Sequence, residues 1–286
     1  MKLLDALKPA TEFLTQSGIE DPSLNAELIV FHATGIDRLA AYRDNPDITE
    51  EQSNIINRFL KRRAQGEPVQ YITGSVDFLG LMVSVGRGVL IPRPETELLV
   101  EKAITEVRSR KKSHKDSSSF RILDLCSGSG CVSLALARAF PDATVYSTEI
   151  SRTALDYAVK NAKANHIVNT VFLHGSLFEP VERQLTFDLI ISNPPYIKTA
   201  DMKDLQPEIK DWEPCEALDG GTNGLDFYRL IFKDAPLFLK QSGKVMLEIG
   251  CHQAVAVKEI AKKSGFQFFS THKDLAGIER IVIAER

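Results

Sequence analysis

Little in this chain marks an extracellular, metal-holding or nucleic-acid-gripping protein. Its four cysteines, Cys126, Cys131, Cys215 and Cys251, are scattered through 286 residues without a CxxC pair, and its six histidines do not cluster. A disulfide framework and a zinc site are therefore both disfavoured, no metal is expected, and the thiols read as reduced. There is no basic excess either: 35 Lys and Arg face 38 Asp and Glu, for a net charge of −3. A protein built to hold a phosphate backbone usually shows the opposite balance, so direct nucleic-acid binding is not expected. No apolar run approaches membrane-spanning length. In MKLLDALKPATEFL the leucines are interrupted by Asp5, Pro9 and Glu12, which suits an amphipathic helix and not a signal peptide. A cytoplasmic protein with no membrane association is the expectation.

What is present supports a sizeable packed core, with 43% hydrophobic residues and a length that fits one large or two modest domains. Residues 1–67 read as a small helical bundle. Leu3, Leu4, Leu7 and Leu14 recur at helical spacing; Asp21 is placed to cap a helix with Pro22 in its first turn and Gly35 at its stop. Thr49 caps another helix, whose stripe is Ile55, Ile56, Phe59 and Leu60. Residues 68–92 are richer in β-formers and carry turn glycines at 74, 80, 86 and 88, which predicts a β-hairpin connector. Residues 93–286 form the third section. A helix follows Pro94, and the run KKSHKDSSS reads as a solvated loop without function. From Phe120 the strands RILDLC, ATVYST, TVFLH, FDLIIS and KVMLEI alternate with helix-length segments, as in a doubly wound α/β sheet. QFFST and RIVIAE then close the chain as an antiparallel edge pair, for seven strands, mostly parallel.

RILDLCSGSGCVSLALARAF is strand, glycine turn and helix. Such a turn lets backbone approach a ligand closely and aims the free N–H groups of the helix at it. Glu149 ends the next strand, nineteen residues beyond Gly130, where a carboxylate can accept hydrogen bonds from ribose hydroxyls. The third glycine of a dinucleotide fingerprint is absent, because Cys131, Val132 and Ser133 follow GSG. The run D-L-x-S-G-S-G resembles the first motif of class I S-adenosyl-L-methionine (SAM) methyltransferases. That resemblance implies the class I SAM-dependent methyltransferase fold. It also implies that Asp124 and the loop Cys126, Ser127, Gly128, Ser129 and Gly130 serve the methionine end of the cofactor, with Glu149 on its ribose. A turn that only packs helix on strand is the plainer reading of the glycines alone, and Glu149 at this distance weighs against it.

FDLIISNPPYIK is the fourth parallel strand, and its carboxyl end should lie beside the glycine loop at the ligand-binding edge. An amide or aryl-amine nitrogen is a poor nucleophile because its lone pair is delocalised. The Asn193 side-chain oxygen and the Pro194 carbonyl can each accept one N–H of a planar –NH2 group, which aligns the nitrogen with a sulfonium methyl. Pro194 and Pro195 stiffen the backbone, and Tyr196 supplies a flat wall. These residues point to methylation of a planar –NH2 nitrogen, whether of adenine, guanine or a glutamine amide. An ordinary X-Pro-Pro turn is the structural alternative.

Taken in order, GEPVQYITG, IPRPETE, ILDLCSGSG, NPPYI and EPCEALDGG resemble the peptide chain release factor glutamine methyltransferases, the HemK/PrmC family, over nearly the whole chain. The resemblance implies methyl transfer from SAM, leaving S-adenosyl-L-homocysteine, to the side-chain nitrogen of the glutamine in the Gly-Gly-Gln motif of class 1 release factors. It places Asn193, Pro194, Pro195 and Tyr196 on that glutamine. It adds Ser176, Leu177 and Phe178 of GSLFEP to the cofactor set, Phe178 as the aromatic or apolar neighbour of the adenine, and Asn193 belongs to that set too, beside the cofactor's methyl group. Ser176 stands where members often carry Asp, and Glu149 where they often carry a shorter acid. Arg93 and Glu97 are expected to order the cofactor pocket or guide the substrate loop. Residues 197–224, with Trp212 among them, read as a lid hinged at DGGTNG, and the N-terminal bundle as a docking module for the release factor. The competing readings are an N-methyltransferase acting on DNA or RNA bases and a non-catalytic SAM-binding module.

Overall fold

The computed structural model describes residues 1–113 and 120–286. The chain divides into two compact units, one of Met1–Ser75 with Gln206–Trp212, the other of Val76–Leu205 with Glu213–Arg286.

In the Met1–Ser75 part of the first unit, five α-helices follow one another: α1 (Leu7–Gln16), α2 (Pro22–Thr34), α3 (Arg38–Asp44), α4 (Glu50–Ala64) and α5 (Val69–Thr73). Their apolar stripes bury Leu14, Ile29, Val30, Ile56 and Leu60 in one core, which Leu3 joins from ahead of α1. The capping expected at Thr49 is present as a reciprocal box. Its hydroxyl accepts the Gln52 N–H at 3.1 Å, and the Gln52 side chain accepts the Thr49 N–H at 2.9 Å. Asp21 does not cap. Its backbone is left-handed, with φ 48°, and its side chain makes no capping bond; Asn25 instead donates to the carbonyls of Glu20 and Asp21. Residues 69–73, expected in the hairpin connector, are the short helix α5, because Pro68 opens it, Gly74 stops it at φ 75°, and Val69, Tyr71 and Ile72 bury their side chains. The returning segment is held by charge. Arg63 is buried, and it donates to Asn25 at 2.8 Å and to the Glu208 carboxylate at 2.5 Å. Removing the Glu208 carboxylate would leave a buried guanidinium without its countercharge. Trp212 is half-buried in the same unit, where its indole nitrogen lies 3.6 Å from the position a Cβ on Gly66 would take.

The second unit opens with the hairpin β1 (Ser75–Phe78) and β2 (Leu81–Ser84). Its two-residue turn places both Leu79 (φ 50°) and Gly80 (φ 73°) in the left-handed region, as a primed hairpin turn demands. A leucine there is strained, and Glu97 offsets this by accepting the Leu79 N–H at 2.9 Å. Glu97 lies in α6 (Pro94–Ser113), which takes up the first residues of KKSHKDSSS; the rest of that run lies outside the described residues. Then come β3 (Arg121–Leu125), α7 (Cys131–Ala139), β4 (Thr144–Glu149), α8 (Arg152–Ala164), β5 (Thr170–His174), β6 (Phe187–Ser192), β7 (Leu239–Glu248), β8 (Phe268–Lys273) and β9 (Glu279–Glu285). They build one seven-stranded sheet in the order β5-β4-β3-β6-β7-β9-β8. The first five strands run parallel, while β9 is antiparallel to both β7 and β8. All six residues of β6 are buried, the mark of a central strand covered on both faces.

Strand order reverses direction at β3 and β6. Leu125 pairs with Thr148 on one side and Ser192 on the other, so β3, β4 and β6 end at one level. That edge is where a doubly wound sheet leaves a crevice for ligands. Among the described residues, no helix is long and apolar enough to cross a membrane.

Candidate active site

The glycine loop leaves β3 with three residues in the left-handed region: Cys126 (φ 58°), Gly128 (φ 54°) and Gly130 (φ 80°). Around Gly128 nothing lies within 4 Å of where a Cβ would stand, so its backbone is open to a ligand. At Gly130 the need is packing, since a Cβ would sit 3.0 Å from the Ala158 methyl on α8. Beneath the loop, Asp124 accepts the Ser133 N–H at 3.1 Å through Oδ2, while its buried Oδ1 has no partner. Burial holds its carboxyl well above the usual range, against the Ser133 hydrogen bonds. The hydroxyls of Ser127 and Thr148 are likewise buried and unpaired. Unsatisfied buried polar atoms are costly, and here three gather at one loop.

Glu149 organises the loop from the end of β4. It is only 8% exposed. One carboxylate oxygen accepts the Gly128 N–H at 2.8 Å and the other the Ser151 N–H at 2.8 Å. Each oxygen retains a lone pair for a ligand hydroxyl.

A cavity of about 530 Å³ opens over this edge. Cys126, Gly128, Thr148 and Glu149 form part of its lining, with Ser176 and Leu177 after β5 and Asn193 and Pro195 after β6. Val89, Leu90, Ile150 and Phe227 supply apolar surface that the sequence reading did not single out, as nothing in their local spacing distinguishes them. The cavity has the size and mixed character of a nucleoside site. Ser127, Ser129 and Gly130 are buried behind the lining. Phe178 is not at the cavity. Its ring stacks on Phe238, centroids 4.9 Å apart, within the core. The left-handed backbone of Leu177 (φ 46°) accompanies this exchange, with Leu177 on the lining and Phe178 inside. Burial and the Glu149 carboxylate push the Cys126 thiol up, which favours its neutral form.

Asn193 lines the opposite wall. Its Nδ2 donates to Thr96 Oγ1 at 3.0 Å, and Thr96 Oγ1 donates to Glu248 Oε2 at 2.7 Å. With the amide nitrogen engaged by Thr96, Oδ1 is left as the acceptor of a carboxamide that belongs to the cavity lining. Tyr196 reaches Glu248 Oε1 at 3.5 Å. Pro194 and Pro195 are buried in trans backbone. Thr96 and Glu248 were not anticipated, since they lie far apart in sequence and share no motif.

Burial raises the Glu248 carboxyl to about 7; Glu95 adds to this, while Thr96, Arg280 and Tyr196 oppose it. Burial and the Glu248 charge in turn push the Tyr196 hydroxyl up to about 12. Between an ordinary carboxyl value near 4.5 and about 7, the folded protein keeps a proton that the unfolded chain has released. The stability this provides is complete below the unfolded value and is lost as pH rises through the folded one, about 3 kcal/mol in all. Glu248→Gln should remove that slope, so urea denaturation at pH 5 and pH 8 should differ less in the variant than in the wild type, by about 2.5 kcal/mol because pH 5 already lies above the unfolded value. Equal slopes would mean that the carboxyl is not buried in this way.

The motif IPRPETE acts through several contacts. Arg93 pairs with the buried Glu213, whose other oxygen accepts the Ile91 N–H at 3.0 Å, so IPR is tied to the start of EPCEA. Glu97 holds the hairpin turn and is not part of the cavity lining. DGGTNG departs from a hinge. A Cβ on Gly220 would lie 2.8 Å from the Pro195 carbonyl oxygen, and one on Gly224 would overlap the Tyr196 carbonyl oxygen. Ile197 exchanges backbone bonds with Leu218 and Gly220 at 2.9 and 2.7 Å. The glycines are there so that this segment can lie directly on the backbone of NPPYI.

Residues 5–74 match the PrmC N-terminal domain family and residues 107–209 the methyltransferase small domain family. The release factor glutamine methyltransferase of Thermodesulfovibrio yellowstonii is 45% identical over 261 residues, 91% of this chain and 91% of its own length. That of Geobacter sulfurreducens is 42% identical over 272 residues, 94% of this chain and 92% of its own. Among solved structures, a methyltransferase from Pyrococcus furiosus superposes with a TM-score of 0.51 at 20% identity, covering 81% of this chain and 98% of that one. An rRNA methyltransferase from T. thermophilus, solved with AdoMet and guanosine, gives 0.52 at 20% identity over 74% of this chain and 49% of that one. At such identities the superpositions speak for the shared fold, whereas the sequence relatives span both units and carry the assignment: this chain belongs to the release factor glutamine methyltransferase family.

Proposed function

We propose that this protein methylates the side-chain amide nitrogen of the glutamine in the Gly-Gly-Gln motif of class 1 peptide chain release factors, with SAM as donor. The observation that carries this reading is the Asn193 carboxamide on the cavity wall, its nitrogen held by Thr96 and its oxygen left to accept. Asp124 and the loop from Cys126 to Gly130 would hold the methionine end of the donor, where the unpaired Asp124 Oδ1 and Ser127 hydroxyl await partners. Glu149 would take the ribose, and Ser176 with Leu177 the adenine side. Bound there, SAM supplies an electrophilic methyl whose bond to sulfur breaks, with the electron pair kept by sulfur, as the bond to nitrogen forms.

Asn193 Oδ1 and the Pro194 carbonyl accept the two N–H bonds of the glutamine amide and favour the positive charge that develops on its nitrogen. Tyr196 walls the planar group. The nitrogen then releases one proton to solvent, so neither a nucleophilic thiol nor a base of lowered pKa is required.

The helical unit serves as the docking module. Leu39 and Tyr42 on α3 are 74% and 50% exposed, apolar surface of the kind a protein partner covers. Incubation of an intact release factor with the protein and methyl-labelled SAM should add one methyl, located by mass spectrometry on the glutamine of the loop. In the same assay, the double variant Leu39→Glu, Tyr42→Glu should raise KM for the factor about tenfold, as loss of an interface anchor does, and leave cofactor affinity unchanged. Label appearing on free nucleic acid and not on the factor would overturn the substrate. An unchanged KM would overturn the docking face.

A further inference from the structure

We propose that Thr96 and Glu248 are positioning residues, which dictate that Asn193 offers its carboxamide oxygen, and not its NH2, to the methyl acceptor. The inference rests on the transfer reading above. A carboxamide is nearly symmetric in shape, yet only its oxygen can accept from the substrate amide; turned over, it would repel that amide with N–H against N–H. Something must set the orientation, and the buried relay does so by hydrogen-bond direction.

Thr96 has one hydroxyl proton and stands between two neighbours, Asn193 Nδ2 at 3.0 Å and Glu248 Oε2 at 2.7 Å. A carboxylate only accepts, so the Thr96 proton goes to Glu248. Its oxygen can then only accept from Asn193, which requires Nδ2 on that side. The reversed arrangement would leave Glu248 Oε2 facing a lone pair. Water cannot relieve the constraint, because Thr96 is 2% and Glu248 1% exposed. The direction is set by the ionised carboxylate and is kept when a proton sits on Oε1, the side that Tyr196 faces; a proton on Oε2 would reverse it. The three groups come from the first turn of α6, the end of β6 and the end of β7, all rigid elements of one unit, which is the support a placed functional group needs.

The test uses the full-length protein and two readouts. In the free protein, the Asn193 side-chain amide resonance, assigned by its disappearance in Asn193→Asp, reports solvent exchange of the Nδ2 protons. Exchange should be slow in the wild type and in Thr96→Ser and at least about tenfold faster in Thr96→Val, which keeps the shape and loses the acceptor. For transfer to an intact release factor, Thr96→Val should lower kcat about tenfold with KM for cofactor and factor unchanged, and Thr96→Ser should restore it. Glu248→Met is the second arm, expected to fold because it replaces a buried acid by an apolar chain of similar length. With no carboxylate to take its proton, Thr96 donates to Asn193 Oδ1, the amide turns over, its protons lose protection and kcat falls alike. Unchanged amide exchange in both Thr96→Val and Glu248→Met, or a loss confined to KM, would overturn the proposal. The amide readout needs no methyl acceptor, so a wild type that leaves the factor unmethylated counts against the transfer reading and not against this arrangement.

Discussion

Asn193→Ala is expected to reduce kcat for methyl transfer by about 10²–10³-fold, the size of effect that follows removal of one preorganised partner of a developing charge. Cofactor affinity should remain within about threefold, because Asn193 is one of many lining residues and the loop is held by Glu149. The acceptor nitrogen starts with its lone pair spread over a carbonyl. Two acceptors must draw its N–H bonds into place for the lone pair to point at the donor, and one of the two is lost. Alanine also leaves the Thr96 hydroxyl without its donor, yet Thr96 keeps Glu248 as acceptor, so the fold should tolerate the change. Single-turnover transfer measured beside a cofactor titration separates the two quantities. A variant with normal kcat would remove Asn193 from the reaction; one that fails to bind cofactor would make it a binding residue.

The parts of this site that the sequence displayed are those fixed by local physics. Glycines at 128 and 130 are required by φ and close packing, Glu149 by the end of a strand, and the double proline by its own rings. Each can be read within a few residues, and the apolar strand periods then place them at one sheet edge. What was hidden depends on contacts across the chain. Thr96 and Glu248 meet at 2.7 Å although 152 residues separate them. Phe178 looked a better partner for an aromatic base than Leu177, but a left-handed turn at Leu177 put the phenylalanine in the core. VQYIT is composed like a strand, and the punctuation of Pro68 and Gly74 with burial of three side chains made it a helix. DGGTNG has the composition of a hinge and the geometry of a close backbone contact, which differ only once the neighbouring chain is known.

Glu149→Gln should act on the other half of the problem and raise the cofactor dissociation constant about 10²-fold, with kcat at saturating cofactor falling less than about tenfold. The carboxylate accepts two backbone N–H groups, Gly128 on one oxygen and Ser151 on the other. An amide has one acceptor, so its NH2 must face one of those donors head-on, and hydrogen bonds to a charged acceptor contribute about 1.5–3 kcal/mol each. If Gly128 loses its partner, the open turn that the ligand approaches is no longer held; if Ser151 does, the start of α8 shifts instead. Either way the oxygen that would take a ribose hydroxyl is replaced or turned. Glu149→Asp keeps the charge and shortens the reach by one methylene, so its affinity should fall between the two. Isothermal titration with SAM orders the three proteins, and a glutamine variant that binds as the wild type does would mean that the loop is organised without the carboxylate. Together with Asn193→Ala, this variant divides the site cleanly: one wall governs whether the donor is held, the other whether the nitrogen that meets it is aligned.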